Sequence, residues 1–116
     1  MIRTLVNRTR ELVLVSQCEM ATSLMGRARG LLGHAPLTPG QGMLISPCQS
    51  IHTFFMSFPI DVAFLNRDMR IVHIIPSMPP WRLSPHLFKA RSVLELPAGA
   101  LAATGSSVGD ELVFFA

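Results

Sequence analysis

The sequence predicts one β-rich α+β domain, a mainly antiparallel sheet curled toward a barrel and accompanied by two short helices. Three observations carry this. The chain has 116 residues, a length suited to one domain around one core. Six or seven short β-type runs are separated by turn residues, and only two segments suit a helix. Apolar residues make up 49% and charged residues 15%, against about 25% charged in an ordinary domain. So few residues must cover two hydrophobic sheet faces that a curled sheet is favoured.

The elements follow in order. Residues 2–6 and 12–15 are β-type runs around Asn7-Arg8-Thr9-Arg10, a hairpin with a basic tip. Thr22 or Ser23 caps a helix running to about Leu32, with Leu24, Ala28, Leu31 and Leu32 facing the core and Arg27 and Arg29 off that stripe. Gly33 supplies its stop, while Gly26 and Gly30 inside it cost roughly 1 kcal/mol each relative to Ala. Residues 34–41 read as a loop and 42–45 as a buried strand ended by Pro47.

The central stretch, 48–65, contains four of the seven Phe and an Asp among apolar residues. Residues 51–56 are aromatic and β-branched, so a strand is expected there, covered on both faces. Pro59 breaks it, because proline lacks the N–H a ladder needs. Residues 60–65 begin a second strand, with Asp61, Ala63 and Leu65 on one face and Val62 and Phe64 on the other. That strand pairs with 71–75 through a turn at 66–70. Residues 76–86 hold four Pro, Trp81 and Arg82 and read as a long loop of the kind that carries function. Residues 92–96 form a strand, 97–104 a short helix, and 111–115 the last strand. Core positions are then Leu44, Phe54, Val62, Phe64, Val72, Ile74, Leu94 and Leu112.

Several motifs, taken together, resemble a known family. They are Cys48-x-x-Ile51-His52-Thr53, Met56-x-Phe58-Pro59-Ile60-Asp61-Val62-x-Phe64-Leu65, Pro80-Trp81-Arg82, Val93-Leu94-Glu95-Leu96-Pro97-Ala98-Gly99 and Gly109-Asp110. Arg29-Gly30-Leu31 and Gly42-Met43-Leu44 look like its upstream motifs. This is similar to domain-of-unknown-function family 192, also called uncharacterised protein family 0127, over residues 29–116. The resemblance implies a fold and recurrent positions, and no activity. Members often have Asp-Gly where this chain has Asp68-Met69, so a different geometry is expected at that turn.

Three chemistries compete for the central stretch. Cys48 and His52 suggest a thiol–imidazole nucleophile, but four residues of strand span about 13 Å, so only a curled segment at Gln49-Ser50 brings them together. Cys48, His52 and Met56 suggest a soft-metal site, but a strand spreads them over about 26 Å. Asp61 is costly to bury unpaired and needs an Arg, a His or several N–H donors, Arg82 on the long loop being the candidate ion-pair partner. The expected ligand site therefore comprises His52, Asp61, Trp81, Arg82 and Glu95, with Glu95 either an outward residue of an edge strand or a buried carboxylate facing the pocket. No catalytic residue, metal or cofactor is assigned.

Net charge is +3, and nine of the ten basic residues are Arg. Arg3, Arg8 and Arg10 give a weak nucleic-acid alternative at the hairpin. Cys18 and Cys48 are expected to be reduced. With neither a long apolar run nor a leader pattern, the expectation is a soluble cytoplasmic protein. The leading functional expectation is a non-enzymatic module binding a small molecule or a protein, with self-association open. Its rival is a small hydrolase or transferase using Cys48 or Asp61 with His52.

Overall fold

The computed structural model describes residues 1–115, the side chain of Leu24 excepted. In chain order the elements are β1 (Ile2–Asn7), β2 (Leu12–Ala21), α1 (Leu24–Arg29), β3 (Gln41–Ile45), β4 (Ile60–Leu65), β5 (Ile71–Met78), β6 (Ser92–Pro97), α2 (Ala100–Ala103) and β7 (Leu112–Phe114). All seven strands join one sheet in the order β5-β4-β6-β3-β2-β1-β7. Neighbours are antiparallel except β2 and β3, which are parallel, so the sheet is mixed. A parallel pair needs a crossover, and α1 with the loop after it supplies one. The sheet curls until its two edge strands meet at one end. There Ile71 N donates to Asp110 O at 2.9 Å and Leu112 N donates to Met69 O at 2.8 Å. The result is a half-barrel within one α+β domain.

Both long strands exceed their sequence limits for physical reasons. β2 continues through polar Ser16, Gln17 and Glu19 because its second half is held by β3 from Gln17 to Ala21. β5 continues through Pro76, which is tolerated because β5 lies at a sheet edge. At the turn between β4 and β5, Met69 takes a φ of 61°, the left-handed conformation that Gly favours. The expected change of geometry is corrected in that respect: the Asn66 carboxamide oxygen accepts from Asp68 N and Arg70 N, each at 3.0 Å, and holds the tip.

Helix α1 is shorter than expected. Ser23 caps it, accepting from Gly26 N at 2.9 Å, but it stops at Gly30, not Gly33. Gly30 has a φ of 50° and its N–H returns to Gly26 O, an ending that Gly makes inexpensive. Leu31 is buried just beyond the helix, whereas Ala28 and Leu32 are exposed. The expected core role of Leu24 lies outside the described side chains.

Residues 51–56 are not a strand. Ile51 and Thr53 are buried and His52 is exposed, so the alternation holds briefly, but only His52 makes a β-bridge, to Leu83. Phe55 then turns with a φ of 65°. The competing partner is the proline-rich loop. Thr53 N donates to Arg82 O, Trp81 N donates to Thr53 O, and Ser84 N donates to Ile51 O, each at 2.9 Å. The Thr53 hydroxyl donates to Pro79 O at 2.6 Å and accepts from Arg82 N at 2.9 Å. These bonds occupy the groups a sheet ladder would have used.

The expectation of one core is also corrected: apolar side chains form two clusters, one on each face of the sheet. Leu5, Val15, Leu44, Ala63, Leu65, Leu94, Leu96 and Leu112 fill the concave interior. Met43, Ile45, Val62, Phe64 and Val93 point the other way, where Leu31, Ile51, Met56 and Phe58 cover them. Period 2 dictates the split, and it makes β4 buried at every position. Of the expected core residues, Leu44, Val62, Phe64, Leu94 and Leu112 are buried, while Phe54, Val72 and Ile74 are only half-buried. Gly42 lets β3 sit close to its neighbours, since a Cβ there would lie 3.1 Å from the Glu95 carbonyl oxygen and 3.0 Å from Val15.

Candidate functional site

The second cluster is interrupted at one point. Glu95 stands on β6 opposite Met43 of β3 and Val62 of β4, on the face away from the barrel interior. Its strand is central, so the edge-strand alternative does not hold. The side chain is 3% exposed and its Oε1 has no hydrogen-bond partner among the described residues. Burial pushes the carboxyl up to about 8, so it is mainly protonated at pH 7. It faces a cavity of about 90 Å³ whose lining includes Arg27, Cys48, Ser50, His52 and Met56. Ile45, Leu31 and Ile51 supply apolar wall.

Three separate segments build this cavity. β6 supplies the acid. α1 brings Arg27, whose Nε is buried without a partner and whose Nη1 donates to Pro47 O at 3.4 Å. The bent segment 48–56 supplies the rest. Because that segment is not extended, Cys48, His52 and Met56 share one lining, contrary to the spreading a strand would impose. Among the described residues, no group of three His, Cys, Asp or Glu is placed to hold an ion.

The thiol is not activated. Cys48 Sγ lies 3.0 Å from Ser50 O, and no imidazole bonds to it among the described residues. Burial raises its pKa, backbone hydrogen bonding at Ser50 offsets part of the rise, and neighbouring Glu95 adds to it. A general base would do the opposite. His52 Nδ1 instead accepts from Phe54 N at 3.2 Å.

An aromatic shelf adjoins the cavity through residues that belong to both. His52 stacks on Phe54 at 5.0 Å between ring centroids, Phe54 lies 6.3 Å from Trp81, and Phe55 lies 4.6 Å from Trp81. Phe55 is 72% exposed and Trp81 55%. Both have positive φ, and the Trp81 N–H is held by Thr53 O.

The five expected site residues therefore separate. His52 and Glu95 share the cavity, and Trp81 flanks it. Asp61 belongs elsewhere: its Oδ1 accepts from Ser77 N at 2.8 Å and its Oδ2 from Leu101 N at 2.9 Å. It thereby ties β4 to β5 and to the start of α2. The expected Asp61–Arg82 ion pair does not form among the described residues. Among the described residues, the exposed Arg82 guanidinium hydrogen-bonds only to the Trp81 carbonyl, at 3.4 Å. Arg27 was not foreseen. Its stripe position pointed to solvent, and nothing local to α1 indicates that Arg27 shares a cavity with Glu95.

The basic hairpin is largely matched within the molecule. Arg3 lies over the Phe114 ring at 4.1 Å, Arg8 pairs with Glu111 at 3.7 Å and Arg10 with Asp110 at 2.9 Å. No helix among the described residues is long and apolar enough to cross a membrane.

Fold and site together define a small half-barrel domain with a polar cavity on its outer face. The chain belongs to the DUF192 family, described as uncharacterized ACR, which matches residues 5–114. A UPF0127 protein of Pyrococcus horikoshii is 31% identical over 96% of this chain and 98% of its own. Another, from Thermococcus sibiricus, is 31% identical over 93% of this chain and 72% of its own. The fold recurs in a Novosphingobium aromaticivorans protein of unknown function, with TM-score 0.82 and 23% identity over 97% of this chain and 84% of that one. It recurs also in a Sinorhizobium meliloti protein given as a candidate transcription regulator, with TM-score 0.80 and 24% identity over 97% and 92%.

Proposed function

We propose that the protein is a non-enzymatic ligand-binding module. It takes a polar group of its ligand into the Glu95 cavity and the ligand's body onto the His52, Phe54 and Trp81 shelf. One observation carries this reading: the buried Glu95 oxygen without a partner. Leaving such a group unsatisfied costs about 1–3 kcal/mol. The residues opposite it, Met43 and Val62, are apolar, so an apolar side chain would suit the packing better. A ligand that supplies the missing hydrogen bond gives the carboxyl a use that packing does not. The shelf supports the same reading, because aromatic planes on the bent segment 48–56, packed against Trp81 of the proline-rich loop, offer a pre-ordered surface that binds with little loss of conformational entropy.

The test is native mass spectrometry of protein purified from cells, wild type beside Glu95→Leu. A small molecule retained by the wild type and absent from a folded variant is expected. The same adduct on both would place the ligand elsewhere, and none on either would count against the reading.

A further inference from the structure

Independently of the Glu95 cavity, we infer that the paired segments 49–55 and 81–88 dock the protein peripherally on an anionic lipid bilayer. The two segments run antiparallel outside the seven-stranded sheet. His52 bridges Leu83, Ser84 N donates to Ile51 O, and Leu87 N donates to Gln49 O, both bonds at 2.9 Å. Ile51, Thr53 and Ser84 are buried beneath the pair. What the pair exposes is apolar too: Phe55, Trp81, Leu83 and Phe88 are 72%, 55%, 69% and 83% exposed. They follow one another along it. Phe55 packs on Trp81, Leu83 stands opposite His52, and Phe88 packs on His86, which hydrogen-bonds Gln49. Single exposed apolar side chains are ordinary, but a row of four large ones marks an interaction surface.

Charge selects the partner. Cations are interleaved with the row as Trp81-Arg82-Leu83 and Phe88-Lys89, and Arg91 follows. All three are exposed, and none pairs with a carboxylate among the described residues, whereas Arg8 and Arg10 of the hairpin do. Residues 20–60 and 69–94 contain no acid, and Asp61 and Glu95, which interrupt and end these stretches, are buried. The paired segments are therefore apolar and cationic together. An anionic bilayer matches both properties, since Trp and Phe settle at headgroup level while Arg and Lys meet the lipid phosphates. A second copy of the chain would set these cations against one another with no acid between them. Single-stranded nucleic acid stacks on open ring faces, but Phe55 and Trp81 are tilted by 58° with centroids 4.6 Å apart, so each obstructs the other. A folded acidic partner gains most from pockets that take its anchoring side chains. Phe55, Trp81, Leu83 and Phe88 lie outside the Glu95 cavity and stand in solvent.

Trp81 is the only Trp of the chain, so its emission reports docking at the row itself. The probes are vesicles of phosphatidylcholine alone and of phosphatidylcholine mixed equally with phosphatidylglycerol. Mixed vesicles should blue-shift Trp81 emission, cosediment the protein at low salt and release it as salt rises. Phosphatidylcholine alone should bind about hundredfold more weakly, since each of the three cations contributes about fivefold. Arg82→Gln and Lys89→Gln should each lose about fivefold, and Phe88→Ala about tenfold. These side chains are exposed, so the variants should keep the fold, which circular dichroism checks. Arg8→Gln removes the same charge from the hairpin and should stay within about twofold of wild type. No cosedimentation with mixed vesicles overturns the inference. So does binding that leaves Trp81 emission unshifted, or binding that Arg8→Gln weakens as much as Lys89→Gln, because net charge alone is then at work. Tighter binding to polyglutamate than to vesicles, again weakened by Phe88→Ala, overturns the bilayer in favour of an acidic protein. A dimer in sedimentation equilibrium that Phe88→Ala breaks overturns it in favour of a second copy. None of these outcomes bears on the Glu95 ligand, which native mass spectrometry tests separately.

Discussion

Replacing Glu95 by Gln removes a titrating proton from the protein interior while keeping the side chain's size. The carboxyl moves from an ordinary value of 4.5 to about 8 in the folded protein. The folded state therefore holds the proton over a range in which the unfolded chain has released it. A raised carboxyl contributes stability that is fully present below pH 4.5 and is lost as pH rises through about 8. At about 1.4 kcal/mol per pH unit, the wild type should lose about 3 kcal/mol relative to Glu95→Gln between pH 4.5 and 7. The loss should approach about 5 kcal/mol above pH 9, a large part of a small domain's stability. Urea unfolding of both proteins at several pH values measures this directly, because other titrating groups cancel in the difference. A stability difference independent of pH would refute the reasoning, since it would mean that Glu95 is solvated or already paired in the folded protein.

Other outcomes follow from the same geometry. Asp61→Ala should destabilise by about 3 kcal/mol in thermal or urea unfolding, because Ser77 N and Leu101 N lose their acceptor. Arg82→Ala should change stability by less than about 0.5 kcal/mol, since its guanidinium touches only an exposed carbonyl. Hydrogen bonds from Arg10, Asn7 and Ser107 hold the Asp110 carboxyl down at about 2 from 3.8. Its contribution should therefore be present above pH 3.8 and lost as pH falls toward 2, an acid sensitivity that Asp110→Asn should remove in acid unfolding. A thiol reagent at pH 7 should modify Cys48 more slowly than a free peptide thiol and Cys18 more slowly still, because burial raises the first and carries the second to about 11. Rapid labelling of Cys48 would reopen the nucleophile reading.

Local pattern by itself determined much of this protein. Alternation in residues 60–65, 71–75 and 92–96 is a property of the chain, and it specified three strands and the faces they bury. Ser23 announced its helix because a hydroxyl at that position reaches the third N–H beyond it. Glu95 could be recognised as anomalous because a carboxyl between Leu94 and Leu96 is an expensive neighbour for a strand.

Tertiary structure decided the rest. Residues 51–56 have strand composition, yet the backbone and hydroxyl of Thr53 found their partners on the 79–82 loop, and the segment bent. That bend gathers Cys48, His52 and Met56 around one space, which a sequence distance of four residues cannot reveal. Asp61 and Arg82 offered complementary charges, but two backbone N–H groups, 16 and 40 residues further along the chain, reached the carboxylate instead. Arg27 joins Glu95 at the cavity because the crossover between β2 and β3 carries α1 to the cavity's edge. Spacing along the chain governs what adjacent residues can do. Which distant groups satisfy a buried polar atom is settled only when the sheet has closed around it.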